Sequence, residues 1–188
     1  PMLRGRIMAI NGVRTEDMKI PDEIEWVFRG DRGLTWSRTP IEGAKLTAGK
    51  WWSETYNGAP MVSLDDQVAR LLGLDIGDTM TVNVLGRDIE CTIANLRTIN
   101  WSSLSINFVM VFSPGLLESV PQSHIASVHA DEAVENELEM LVTDHFSNVS
   151  SIRVKEILDT VGLISSHVAI AARSTAAISL AASGLVLA

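Results

Sequence analysis

The chain has 188 residues, with 15 Lys and Arg against 23 Asp and Glu, a formal net charge of −8. No window carries the basic run that grips a phosphate backbone, which argues against a nucleic-acid partner. A composition 46% hydrophobic and 20% charged excludes intrinsic disorder, and the single cysteine, Cys91, excludes an internal disulfide and any multi-thiolate zinc site.

In chain order the pattern predicts a mixed α/β protein. Residues 5 to 13 read as a strand ending at the Asn11-Gly12 turn signal. Residues 25 to 37 place Trp26, Phe28, Leu34 and Trp36 on alternating positions around a Gly-Asp-Arg-Gly turn, the pattern of a hairpin. The Arg29-Gly30-Asp31 tripeptide inside it is explained by that turn. After the stretch from Thr47 to Tyr56 and the Asn57-Gly58-Ala59-Pro60 loop comes a short apolar strand, 61 to 64. Ser63-Leu64-Asp65-Asp66 then opens a helix, Val68, Leu71 and Leu72 give it an apolar face, and Gly73 ends it.

Residues 79 to 84 alternate apolar and polar, Leu85-Gly86-Arg87-Asp88 turns, and 89 to 96 return antiparallel. A further strand is expected over 106 to 112, a turn of helix at 114 to 117, a strand over 124 to 129 and a strand-like entry at 149 to 154. Residues 131 to 146 form a helix with Val134, Leu138, Leu141 and Val142 on one face. From Lys155 a long helix begins amphipathic and becomes apolar all round, and residues 174 to 188 carry no charge. Fifteen uncharged residues fall short of the ~20 needed to cross a bilayer. Two readings stay open, a buried C-terminal helix or the start of a membrane helix, and uniform apolarity with closely spaced Ala, Ser and Gly favours the second. The interrupted order of elements suggests one unit surrounding another: an outer α/β unit of 1–58 and 113–163, an inserted α/β unit of 59–112, and a truncated membrane helix over 164–188.

Motifs for chemistry are few. There is no nucleophile elbow, no phosphate-binding glycine loop and no zinc-protease motif. His129 and Asp131 could offer two metal ligands, but a strand-exit histidine beside a capping aspartate explains them. Asp65-Asp66 reads as helix-start acids complementing the dipole before it reads as a catalytic pair. The acidic run from Asp131 to Glu139 reads as a solvated helix face. The segment Arg97-Thr98-Ile99-Asn100-Trp101-Ser102-Ser103, with Asn107-Phe108, sets an indole among polar side chains between two strands. Such a loop suits recognition, and equally a tryptophan pinning the loop to the core. Arg97, Asn100, Trp101, Asn107 and Phe108 are therefore the candidate surface for a partner or substrate.

Three stretches together carry a family resemblance: Lys50-Trp51-Trp52 with Pro60-Met61-Val62-Ser63-Leu64, then Leu72-Gly73-Leu74-Asp75-Ile76-Gly77-Asp78, then Asn95-Leu96-Arg97 through Asn100-Trp101 to Asn107-Phe108. They resemble the large extracytoplasmic domain of FtsX-like ABC-transporter permeases, with the MacB-like periplasmic core, and in particular the permeases associated with a lysophospholipase- or esterase-like partner. The resemblance implies an α/β (α+β) domain, a porter-like half with a smaller inserted unit, between two membrane helices of a bacterial inner-membrane protein. It implies no catalysis and no cofactor in this chain, ATP hydrolysis by a separate cytoplasmic ATPase subunit, and contact with a periplasmic partner protein or lipid. The alternatives are a periplasmic lipid- or peptide-binding module and a periplasmic hydrolase.

Overall fold

The computed structural model describes residues 1–41, 43–100 and 106–154. The chain divides into two compact units, Pro1–Val128 and His129–Ala188. The first unit is built from β1 (Leu3–Ile10), β2 (Val13–Arg14), α1 (Asp22–Phe28), β3 (Arg32–Trp36), β4 (Lys45–Gly49), β5 (Met61–Asp65), α2 (Asp66–Leu72), β6 (Thr79–Val84), β7 (Arg87–Thr98) and β8 (Met110–Phe112).

Six of these strands close on one another. β1 pairs with β3, β3 with β8, β8 with β5, β5 with β7, β7 with β6, and β6 with β1 again. β2 and β4 are appended to β1 and β7. Only β3–β8 and β5–β7 run parallel. Closing the ring leaves its strands no open edges, and the inward residue of each pleat fills the centre. Met80 and Val82 of β6 pair with Cys91 and Ile89 of β7, and with Val84 and Ile93 they join a core shared with Leu3 and Ile7 of β1, Leu34 of β3, and Leu64 and Phe112. The segment 59–112 supplies four of the ring strands and closes its sheet only through β1 and β3, so the boundary expected at residue 58 runs across hydrogen-bonded ladders.

The hairpin expected over 25 to 37 is instead helix α1 followed by β3. Alternation picked the wrong face. Ile24, Val27 and Phe28, three and four residues apart, are the buried positions, and Trp26 is 41% exposed. Pro21 enters the helix at φ −61° and Asp22, Glu23 and Glu25 load its first turn, where acids oppose the positive end of the dipole. Arg29 closes the helix with an ion pair to Glu25 at 2.7 Å. Helix α2 follows the expectation more closely: its N-cap is Asp65, whose carboxylate accepts from the Gln67 and Val68 amides at 2.7 and 3.1 Å, and it ends at Gly73. Asp66 pairs with Arg70 one turn on. These contacts give the Asp65-Asp66 pair a structural occupation.

The strand expected over 106 to 112 begins only at Met110: the Phe108 carbonyl accepts from the Arg97 side chain instead of extending a ladder, and the Val109 carbonyl is shared between Arg97 and the Asp65 amide. The strand expected over 124 to 129 is also absent. The region contributes one bridge, Ser123 with Met2 at 2.7 and 3.0 Å, since the closed ring offers no long edge beside β1.

In the second unit the described residues form α3 (Glu132–His145) and an irregular segment where 149 to 153 make no ladder. Arg153 holds α3 through Glu139 and through Asn136 at 2.5 Å. Val134 and Leu141, on the expected apolar face, are exposed. Among the described residues no helix is long and apolar enough to cross a membrane, and no group of three or more metal-ligating side chains converges. The membrane helix expected over 164–188, together with His167, lies outside the described residues.

Cys91 is packed in the barrel with its thiol donating to the Met80 carbonyl at 3.4 Å. Burial, reinforced by Glu90, pushes its pKa up from 9.0 to about 12. The thiolate fraction at pH 8 is thereby lowered about 10³-fold, so native chain should react with a thiol reagent at least that much more slowly than unfolded chain. The raised folded pKa also means that its contribution to stability is complete below pH 9 and is lost as pH climbs from 9 towards 12. Arg97, lowered to about 10 by burial, acts in the opposite sense and only above pH 10. Between pH 9 and 10 the unfolding free energy should therefore fall with a slope of up to about 1.4 kcal/mol per pH unit. A Cys91→Ala variant lacking that slope in urea titrations would confirm the assignment, and an unchanged slope would refute it.

Candidate partner surface

Two neighbourhoods of the first unit hold the side chains that could engage another molecule. The first is the base of the 99–109 connection between β7 and β8, where the expected surface residues lie. Arg97 is not on the surface. It is 2% exposed, registered beside Asp65 in the parallel β5–β7 ladder, and its guanidinium donates to the carbonyls of Phe108 at 2.5 Å and Val109 at 3.3 Å. Val109 also accepts from the Asp65 amide at 3.1 Å. Desolvation lowers the Arg97 pKa to about 10, and the negative charge of Asp65 opposes that fall. Its buried Nε has no hydrogen-bond partner, so this arginine is held by backbone acceptors and by charge, and it acts as a brace.

Above the brace, the Asn107 side-chain amide donates to the Asn100 carbonyl at 3.2 Å, which ties the two ends of the connection together. Asn100 is exposed, while Asn107 and Phe108 are half-buried. The Phe108 ring sits over Gly33 of β3. Trp101 lies outside the described residues. The structure thus brings Asn100, Asn107 and Phe108 to one end of the barrel and assigns Arg97 to holding them there.

The second neighbourhood is a cleft between the loop 53–60 and the turn 113–118. Antiparallel pairing of β5 with β8 brings these stretches together, with Val62 opposite Phe112. Met61 and Ser113 seal the base: the Met61 amide donates to Ser113 Oγ at 3.0 Å and the Ser113 amide to the Met61 carbonyl at 2.9 Å. One part of the cleft is an apolar recess of about 280 Å³ over Pro60, Phe112, Pro114, Leu116 and Leu117. Beside it lies a polar recess of about 380 Å³ with Arg38, Thr55, Tyr56, Asn57 and Glu118 on its walls.

The walls are fixed from behind. Arg38 pairs with the Glu118 carboxylate and donates to the Glu54 carbonyl at 3.0 Å. Trp51 and Trp52, 4.4 Å apart, donate to the Arg38 and Ser37 carbonyls at 3.1 and 2.8 Å. Tyr56 donates its hydroxyl to the Ala59 carbonyl at 2.8 Å, and Trp36 reaches Gln122 at 2.9 Å. Such a network presents a preorganised surface, and ordering costs on binding are correspondingly small. The sequence presents Asn57-Gly58-Ala59-Pro60 as a loop and 114 to 117 as a turn of helix, where the structure has a non-helical turn. The signal that could have joined them, two Gly/Pro turns each abutting an apolar strand, specifies no pairing.

No family model matches the chain, and no solved structure matches it significantly. Among curated proteins it is 32% identical over 127 residues to the "Uncharacterized ABC transporter permease YbbP" of Escherichia coli (strain K12). That alignment takes in 68% of this chain and spans 15% of the permease's length. This chain is a homologue of a segment of an ABC transporter permease.

Proposed function

We propose that the chain is the extracytoplasmic domain of an FtsX-like ABC-transporter permease with a MacB-like periplasmic core, anchored in a bacterial inner membrane by helices that flank it. In this reading the domain is not a catalyst. A separate cytoplasmic ATPase subunit supplies the energy, and the domain passes the resulting motion to a periplasmic partner or to a lipid or lipoprotein substrate. The observation that carries it is the 32% identity to a permease over 127 residues. The uncharged stretch 174 to 188 agrees with it, since continuous apolarity is what a chain entering lipid requires. So does a closed barrel with a braced loop and a preorganised cleft, a rigid body well suited to transmitting force to a neighbour.

The test is the side of the membrane on which the domain lies. Cys91 is buried with its pKa raised to about 12, so it contributes no background and a single exposed cysteine reports alone. In the full-length permease with any cysteines outside this segment replaced, Lys19→Cys should be labelled by a membrane-impermeant maleimide in intact spheroplasts to the same extent as after lysis. Labelling that requires lysis would place the domain in the cytoplasm and overturn the reading.

A further inference from the structure

We infer that the cleft between loop 53–60 and turn 113–118 is a peptide-binding site that takes one apolar side chain of a partner protein, an inference independent of the permease reading. The floor of its apolar recess is made by Phe112 and Leu117, both 1% exposed, while Leu116 stands at the mouth, 55% exposed. About 280 Å³ falls just below the ~300 to 1,000 Å³ of small-molecule sites. That volume accommodates a leucine, methionine or phenylalanine side chain and is smaller than the full acyl chain of a membrane lipid.

The rim selects the rest of the ligand. Arg38 and Glu118 neutralise each other, so the polar recess offers neither the cationic cluster that a phosphate headgroup needs nor a free carboxylate for an amine. What remains are the Asn57 amide and the backbone of Gly115, with the Thr55 hydroxyl already sharing one hydrogen bond with Ser53 Oγ at 3.0 Å, groups that donate and accept or lie flat against a chain. Those match the alternating carbonyls and amides of an extended peptide, which carries no net charge. A side chain buried in a fixed apolar pocket, beside backbone satisfied at a polar rim, is the anatomy of an interface anchor. Neither wall has to be assembled on binding, because Arg38, Trp51, Trp52 and Ser113 already hold both.

The probes are the blocked peptides Ac-Ala-Leu-Ala-NH2 and Ac-Ala-Asp-Ala-NH2, together with lysophosphatidylcholine below its micelle concentration, titrated into the ¹⁵N-labelled 188-residue chain. Saturable amide shifts at Gly58, Ser113 and Gly115 are expected with the leucine peptide at millimolar concentration, at least about tenfold weaker binding with the aspartate peptide, and no saturation with the lysolipid. Leu116→Glu, an exposed substitution, should weaken leucine-peptide binding at least about tenfold while shifts elsewhere in the barrel stay in place. Arg38→Gln frees the Glu118 carboxylate, and Ac-Lys-Leu-Ala-NH2 should then bind at least about threefold tighter than it does to the parent chain. Absence of saturable shifts at these three residues, equal binding of the leucine and aspartate peptides, an effect of neither variant, or saturation by the lysolipid without the peptide would each overturn the proposal.

Discussion

Replacing Arg97 with Ala is expected to lower the unfolding free energy by about 3 to 5 kcal/mol, the range for breaking a buried charged interaction by deleting one partner. Three consequences add. The Phe108 carbonyl loses its 2.5 Å donor, the Asp65 carboxylate loses the positive charge in register beside it, and the space of a long buried side chain is left empty. The α2 cap would survive, because Asp65 still accepts from Gln67 and Val68, and Val109 would keep the Asp65 amide. Arg97→Lys should fall between, since an ammonium restores charge but, one bond shorter, falls short of the position from which Nη2 donates to both carbonyls. Urea unfolding of the three proteins measures this. A loss below about 1 kcal/mol for the alanine variant, within the range of a surface substitution, would return Arg97 to the recognition surface expected from the sequence.

That reversal shows what the sequence could and could not reveal. Arg97 beside Asn100 and Trp101 has the composition of an exposed hot spot, and composition says nothing about which way a pleat points. In β7, Ile89, Cys91 and Ile93 alternate into the core, but the register against β5 slips by one residue at Ala94, so that Leu96 pairs with the core residue Leu64 while Arg97 pairs with Asp65 on the opposite face. Strict alternation breaks at that slip, and the burial of Arg97 depends on what covers the outer face there, which period 2 does not specify. Local signals were reliable where the cause is local: the Asn11-Gly12 turn, the β6–β7 hairpin around Leu85-Gly86, the acids at the start of α2 and its stop at Gly73 all stand where the residues place them. Alternation over Trp26 and Phe28 misled because Phe28 also satisfies a helical stripe once Ile24 and Val27 are counted, which leaves Trp26 on the outer face.

Closure of the barrel and the joining of loop 53–60 to turn 113–118 were not legible. Both depend on pairings such as Ile7 with Val82 and Val62 with Phe112, separated by 50 residues or more, and no residue type encodes a partner at that distance. The candidate surface divides along the same line. Its loop was visible as an aromatic among amides, whereas its cleft exists only after two distant strands have met.

Gly49→Ala is expected to lower stability by at least about 3 kcal/mol, because two penalties coincide at one atom. Gly49 ends β4 at φ 76°, where an L side chain is strained. A Cβ there would also stand 2.4 Å from the Ala94 carbonyl oxygen and 2.9 Å from both Asn95 Cα and Ile76 Cδ1. The first two are backbone of β7, which is held between β4 and β5 and cannot step aside alone. Asn95 is fixed further by the Ser63 hydroxyl at 2.5 Å and by its own amide donating to the Lys50 carbonyl at 3.3 Å. Gly12→Ala is the control: φ is 77° there and no atom lies within 4 Å of a built Cβ, so it should show the strain alone, about 1 to 2 kcal/mol. Urea midpoints of the two variants separate the terms, and equal losses would mean that the close approach of β4 to β7 is not real. The position also links fold to surface, since the next residues are Lys50, Trp51 and Trp52, whose indoles hold Arg38 and Ser37 behind the cleft. Any Gly49→Ala protein that still folds must displace that strand end. Its tryptophan emission should therefore shift together with the amides of Gly58 and Gly115, whereas a shift confined to β4 and β7 would show that the cleft is held independently of the strand that leads into it.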